Sequence, residues 1–297
     1  MADRSWRSNA VLALCRHTGL RDPVDAVFEL VDSLLEGAKV LEPPVDVDLL
    51  ASLCRIREVR PVEMAEAGRL VPDGAGYVVQ VNQRHPETKQ RFTVAHEFAH
   101  TFFADALKAT RSVRDKATGM FNDREEEEFL CDFGAARALL NPRWLQPLAR
   151  GRAPSLDGLI EIAQTCQASL EATAIQLSRL GLWYCSFAFW EPGLRKGEAS
   201  DAEADSPREK LRVRRVYAPQ DAPFLPRNKS ADEESQIWAA FVEQGRSEGE
   251  EYLDLGYRLA PAFTQSIYAP YYDEQGSLRP RVISCLRWQK PPRGRFR

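Results

Sequence analysis

Histidine occurs only four times in the 297 residues, and two of the four, His96 and His100, stand four apart in Arg91-Phe92-Thr93-Val94-Ala95-His96-Glu97-Phe98-Ala99-His100. Four residues is about one helical turn, so on a helix the two imidazoles lie on one face, close enough to grip a single metal ion. Glu97 follows the first of them. A His-Glu-x-x-His helix is the minimal kit for metal-assisted hydrolysis: two nitrogen ligands, and a carboxylate beside them to take a proton from water. The flanking Val94, Ala95, Phe98, Ala99, Thr101, Phe102 and Phe103 are all uncharged, which suits a helix buried beneath a cleft. The competing reading is two structural histidines on a core helix.

A hydrolytic zinc site takes three protein ligands and keeps one position for water. The third is sought in Glu125-Glu126-Glu127-Glu128. Glu128 is the best placed, because it adjoins the apolar stretch Phe129, Leu130, Cys131, Phe133 and because Asp132 lies one turn further on the same face. Glu128 would bind through oxygen, while Asp132 would accept from the far nitrogen of a ligating histidine and fix its tautomer. Glu125 and Glu127 stay open as alternatives. Glu125 and Glu126 otherwise read as a solvated acidic run at a helix N-terminus, where the helix dipole favours acids. Histidine and carboxylate donors suit Zn²⁺ and also admit Mn²⁺ or Fe²⁺. His85 and Tyr77 are candidate donors to an oxyanion, although a surface histidine and a packed aromatic are the better readings of the two.

The elements that must position these groups follow from periodicity and turn signals. Residues 24–37 carry a helical repeat ending at Gly37, a natural cap, and Asp46 heads an amphipathic helix that hands over to a strand at Ile56–Val62. Arg69-Leu70-Val71, the turn Pro72-Asp73-Gly74 and the alternating Tyr77–Asn82 form a hairpin leading to the metal helix, with Tyr77–Asn82 expected at the sheet edge where an extended substrate adds a strand. Lys108–Asp123 reads as a loop over the site, and a second helix runs from about Glu125 to Leu140, stopping at Asn141-Pro142. Helices at Leu156–Gln164 and, capped by Ser169, on to Leu180 have the length and spacing of a helix-turn-helix. Arg179 is the only basic residue the pair offers, so support by packing outweighs DNA reading. Trp183–Trp190 is a strand, Gly193–Arg208 has the composition of a flexible linker, and strands at 211–217, 265–269 and 281–287 with a helix at 235–244 make a small α/β module. The expected class is α+β, divided as residues 1–150, 151–190, 191–210 and 211–297.

Composition sets the outer limits. With 44% hydrophobic and 28% charged residues the chain is that of a globular protein. Ala10–Cys15 is too short for a signal or membrane segment, so the expected location is the cytoplasm, with no membrane partner. Six cysteines without a C-x-x-C are expected as reduced thiols, Cys54, Cys131 and Cys285 among them as small core residues. A net charge of −3 gives no global drive towards nucleic acid, and the basic tail Lys290–Arg297 reads as a solvated terminus. Nothing fixes an oligomeric state.

Taken together, V-D-V-D-L-L-A-S-L, Y-V-V-Q-V-N, R-F-T-V-A-H-E-F-A-H and E-F-L-C-D-F-G-A-A-R-A-L-L-N-P resemble the ImmA/IrrE metallopeptidases from about Val45 to Pro142. Phe98-Ala99 stands where a Leu-Gly is usual, and Leu139-Leu140-Asn141-Pro142 where the family has Leu-Leu-Met-Pro. The resemblance implies a gluzincin-like zincin minidomain acting as a zinc endopeptidase, with His96, His100 and Glu128 as ligands and Glu97 as the catalytic base. It also implies a substrate, a helix-turn-helix repressor cut once to relieve repression under stress or in the control of mobile elements or defence. Members of the radiation-response branch continue into a helix-turn-helix-like segment and a GAF-like sensory module, a layout with which residues 156–181 and 211–297 are compatible. The alternative reading is a DNA-binding or signal-sensing regulator with a structural metal site.

Overall fold

The computed structural model describes residues 6–110, 122–194, 210–273 and 277–289, without the side chains of 105–110 and 122–124. The chain divides into two compact units, Met1–Leu145 with Ala163–Ala172, and Gln146–Ile162 with Thr173–Arg297. Helices and sheets are mixed in the α+β manner expected.

The first unit opens with α1 (Asn9–Thr18), α2 (Pro23–Gly37) and α3 (Val47–Leu53), each begun by a side chain that accepts from a free backbone N–H of the first turn. Ser8 accepts from Val11, Asp22 from Val24 ahead of a proline at the helix start, and Asp46 from Asp48 and Leu49. Ala10–Cys15 therefore lies in α1, an element not expected from the sequence. Gly37, expected as a cap, is instead the last helical residue, and Lys39 takes the left-handed turn at φ 55°.

Three strands follow, β1 (Ile56–Val62), β2 (Gly68–Asp73) and β3 (Gly76–Asn82), in the order β1-β3-β2. β2 and β3 form the expected antiparallel hairpin, and β1 pairs parallel to β3. Tyr77–Asn82 is thus the central strand, which corrects its assignment to the edge. The reason is its burial: Val78, Val79 and Val81 are all buried, and a strand so covered has its backbone groups paired on both sides. β2 takes the edge instead, where Pro72, with no N–H to offer, costs nothing.

The helices α4 (Glu87–Thr110) and α5 (Asn122–Leu139) pack against each other, and α4 also lies against β2 and β3. Val94, Ala95, Phe98, Ala99 and Phe103 of α4 are buried, as its uncharged sequence requires. Gly134 sets the approach of α5: a Cβ there would stand 3.1 Å from Ala99 Cβ and 3.1 Å from Val27 Cγ1. Asp32 of α2 accepts from Arg137 and Asn141, holding the far end of α5. Asn141 also accepts from the Arg143 N–H to start α6 (Pro142–Arg150), so Asn141-Pro142 both ends one helix and begins the next. At the near end, Glu126 corrects the reading of a wholly solvated acidic run. It is 8% exposed and accepts from the backbone N–H groups of Arg7 and Ser8 at 2.9–3.1 Å. Pairing with two N–H groups that α1 leaves free offsets the cost of burying its charge.

α7 (Leu156–Cys166) and α8 (Leu170–Arg179) are the expected helical pair, with Ser169 accepting from the Ala172 N–H; each gives residues to both units. The second unit is built on β4 (Cys185–Gly193), β5 (Lys210–Tyr217), β6 (Arg246–Asp254), β7 (Leu259–Tyr268) and β10 (Val282–Trp288), antiparallel in the order β5-β4-β10-β7-β6. α9 (Gln236–Val242), capped by Ser235, packs on this sheet through a core that includes Trp190, Leu211, Val213, Ile237 and Leu286. β8 (Tyr271–Tyr272) and β9 (Leu278–Arg279) form a separate two-residue ladder. β6 escapes sequence reading because Arg-Ser-Glu-Gly-Glu-Glu-Tyr-Leu-Asp is an edge strand with one buried residue, Leu253.

α4 continues through Thr110, so the expected loop at Lys108–Asp123 begins later, and 111–121 lie outside the described residues. So do 195–209 of the expected linker and the tail 290–297. Among the described residues no helix is long and apolar enough to cross a membrane. Replacing Glu126 by alanine leaves the buried Ser8 N–H and the part-buried Arg7 N–H without their acceptor and should cost about 1–3 kcal/mol. Urea denaturation followed by far-ultraviolet circular dichroism checks this; an unchanged midpoint would show that water replaces the carboxylate.

Candidate metal centre

His96 and His100 project from α4 with ring centroids 5.0 Å apart, both largely covered. The carboxylate of Glu128, from α5, lies between them: Oε2 is 3.0 Å from His96 Nε2 and Oε1 is 3.6 Å from His100 Nε2. Asp132, one turn further along α5, places Oδ1 2.9 Å from His96 Nδ1. Of the other glutamates in the run, Glu127 accepts from the Ser8 hydroxyl, Glu126 from the Arg7 and Ser8 N–H groups, and Glu125 is exposed.

The electrostatics follow from this convergence. Burial works against charge on His96, but hydrogen bonds with Asp132 and Glu128 outweigh it and push its pKa up to about 9. Glu128 is held well below the usual carboxylate range by its hydrogen bonds with His100 and His96. A protonation-favoured His96 thus stands against an ionised Glu128 carboxylate. Two imidazole nitrogens and a carboxylate oxygen converging on one space form a donor set that fits a zinc ion, whose charge would replace the ring protons. Asp132 would then hold the Nδ1–H of His96 and leave Nε2 with its lone pair towards the metal.

Glu97 sits apart from this set. It is 7% exposed, accepts a hydrogen bond from the Leu70 backbone N–H of β2, and burial raises its pKa. Gly68, at the start of the same strand, brings its backbone close to α4: a Cβ there would overlap Thr93 Cγ2, come within 2.9 Å of the Gln80 carbonyl oxygen and stand 3.6 Å from Glu97 Oε1. The edge strand therefore runs beside Glu97. His85 has Nε2 3.1 Å from Lys89 Nζ, and Tyr77 lies under the Arg55 guanidinium at 5.7 Å.

One neighbour was not sought from the sequence. Cys131 is buried, as expected of a small core residue, but its Sγ also lies within 4.8 Å of a ring nitrogen of each histidine. Burial, reinforced by Glu128, pushes its thiol well above the ordinary value. The signal was its spacing, three residues after Glu128 on the same helix face.

A His-Glu-x-x-His helix beside a short sheet, answered by a glutamate from the next long helix, is the arrangement of a zincin-type metallopeptidase. Residues 53–178 match the sequence model of the family described as Peptidase_M78: IrrE N-terminal-like domain. The matched segment holds motifs that resemble that family. No curated protein matches the chain. Among solved structures, a Mycobacterium tuberculosis transcriptional regulator is similar in fold, with a TM-score of 0.57 at 12% identity over 94% of this chain and 80% of that one.

Gly68→Ala should move β2 away from α4 and cost about 1–3 kcal/mol, the range for overpacking. Thr93→Ser, which removes the clashing Cγ2, should restore part of the loss. Thermal melts of the single and double variants test this, and additive losses would show that the two sites do not touch.

Proposed function

We propose that the protein is a zinc endopeptidase that makes a limited, site-specific cut in a regulatory protein. The observation that carries this reading is the meeting of His96, His100 and Glu128 in a donor set of two nitrogens and one oxygen, beside a buried Glu97 that is tied to an edge strand. A bound zinc ion would supply a water acidified towards neutrality and polarise the scissile carbonyl. Glu97 accepts the water's proton on its carboxylate and delivers it to the leaving amine, and burial lifts its pKa in the direction a base working near neutrality needs. The Leu70 N–H holds that carboxylate in place. Asp132 keeps a proton on Nδ1 of His96, fixing the ring's orientation. An extended substrate is proposed to add along β2, whose outer edge is unpaired within its sheet.

The family points to a helix-turn-helix repressor as substrate, cut to relieve repression under stress or in the control of mobile elements. Division into peptidase, helical and C-terminal segments is part of the same proposal. The five-stranded antiparallel sheet with α9 supports a sensory role of the GAF type for the last of these. A second reading, a DNA-binding regulator with a structural metal, is favoured by the fold shared with a transcriptional regulator. Titration with operator-length duplex DNA at two salt concentrations, with and without chelator, separates the readings: a peptidase shows no salt-dependent affinity.

Incubating the zinc-loaded protein with repressors encoded beside it should give a single new cut by mass spectrometry, abolished by chelator. Glu97→Gln should keep the metal and lower the cleavage rate about 10²–10⁴-fold; undiminished cleavage by that variant would remove Glu97 from the mechanism. Asp132→Asn should weaken zinc binding about 10–100-fold in competition with a chromogenic chelator.

A further inference from the structure

The histidine pair has a sulfur neighbour as well as an oxygen one. Cys131 Sγ and one nitrogen of each histidine lie within 4.8 Å of one another, and the cysteine is 0% exposed. Glu128 keeps a side chain 53% exposed. The two groups are three residues apart on one face of α5, the thiol buried and the carboxylate half-exposed. With metal–sulfur and metal–nitrogen bonds of about 2.3 and 2.0–2.1 Å, a tetrahedral zinc ion separates its sulfur and nitrogen donors by about 3.5 Å. Sulfur and nitrogens already grouped inside 4.8 Å need only small side-chain rotations to close to that separation. Among the described residues the thiol has no hydrogen-bond partner to give up.

We infer that Cys131 is a fourth protein ligand of this centre, making its resting shell two histidines, one glutamate and one cysteine. The inference rests on the metal-site reading above. As the metal–sulfur bond forms, the S–H bond breaks and its proton passes to solvent, so no oxidant or reductant is required. Two consequences follow. A shell of four protein ligands is the closed form of zinc site and has no place for water, so the peptidase rests in a latent state that opens when the sulfur leaves. A thiolate also favours zinc over manganese, which the other three donors alone do not settle.

Cobalt(II) is the probe, bound to the full chain in place of zinc under reducing conditions. The wild-type protein should show visible d–d bands of tetrahedral strength and a near-ultraviolet sulfur-to-cobalt charge-transfer band. Cys131→Ala and Cys131→Ser should both still bind cobalt, lose the charge-transfer band and show weaker d–d bands as water enters. Cobalt bound by the wild type without charge transfer, or a band that survives in both variants, overturns the cysteine ligand and leaves the histidine–glutamate site standing. Failure of the wild type to bind cobalt or zinc at all overturns both. Should the variants not fold, zinc-edge X-ray absorption of the wild-type protein decides: one sulfur scatterer at about 2.3 Å supports the ligand, and a shell of nitrogen and oxygen alone overturns it.

Discussion

The close approach of α4 and α5 is the constraint on which the first unit depends. Each helix carries half of the candidate centre, and neither half is of use alone. The distance between them is set at Gly134, where a methyl group would already press on Ala99 and Val27. Within two turns of that contact, Glu128 reaches both histidines and Asp132 reaches His96. Small residues at the crossing thus do for the site what no polar contact could: they fix the separation to within the reach of a hydrogen bond, and the packing around them resists its relaxation.

The electrostatic cost of such a site is carried by its neighbours. Five acidic side chains, Glu97, Glu126, Glu127, Glu128 and Asp132, gather around the centre, and each is partnered: Glu97 by a backbone N–H of β2, Glu126 by two N–H groups ahead of α1, Glu127 by a serine hydroxyl, Glu128 by both imidazoles and Asp132 by the far nitrogen of His96. Glu97 and Glu126 are thereby buried on backbone N–H groups, with no cation directly on either. That separation of roles, one carboxylate held ionised among imidazoles and one lifted by burial, is what a hydrolytic centre requires of two acids in the same pocket.

The chemistry was easier to read from the sequence than its surroundings. His96, Glu97 and His100 announce themselves by residue type at helical spacing, and Glu128 and Asp132 by sharing one face of the next helix. Cys131 shares that face too, but a lone cysteine between Leu130 and Asp132 looks like filler until the fold turns it towards the histidines. The edge strand was misplaced because alternation reports burial, not sheet order, and a buried central strand alternates as well as an edge one does. Glu126 was missed for a different reason: its partners, Arg7 and Ser8, are far away in the chain, and nothing local marks an acid as destined for distant backbone donors. β6 fails every apolar pattern because an outer strand needs few apolar residues.

That distant clasp has a consequence for how the centre comes into being. Glu126 lies 118 and 119 residues from the backbone groups it holds, and it sits within one turn of Glu128. The glutamate that completes the centre is therefore carried on a helix whose near end is secured only once the first helix has found it. Loop closure over such a separation is slow compared with the formation of either helix. During synthesis the histidine segment emerges before its proposed third donor, and early residues of the chain must wait, partly uncovered, for the segment that will seat them.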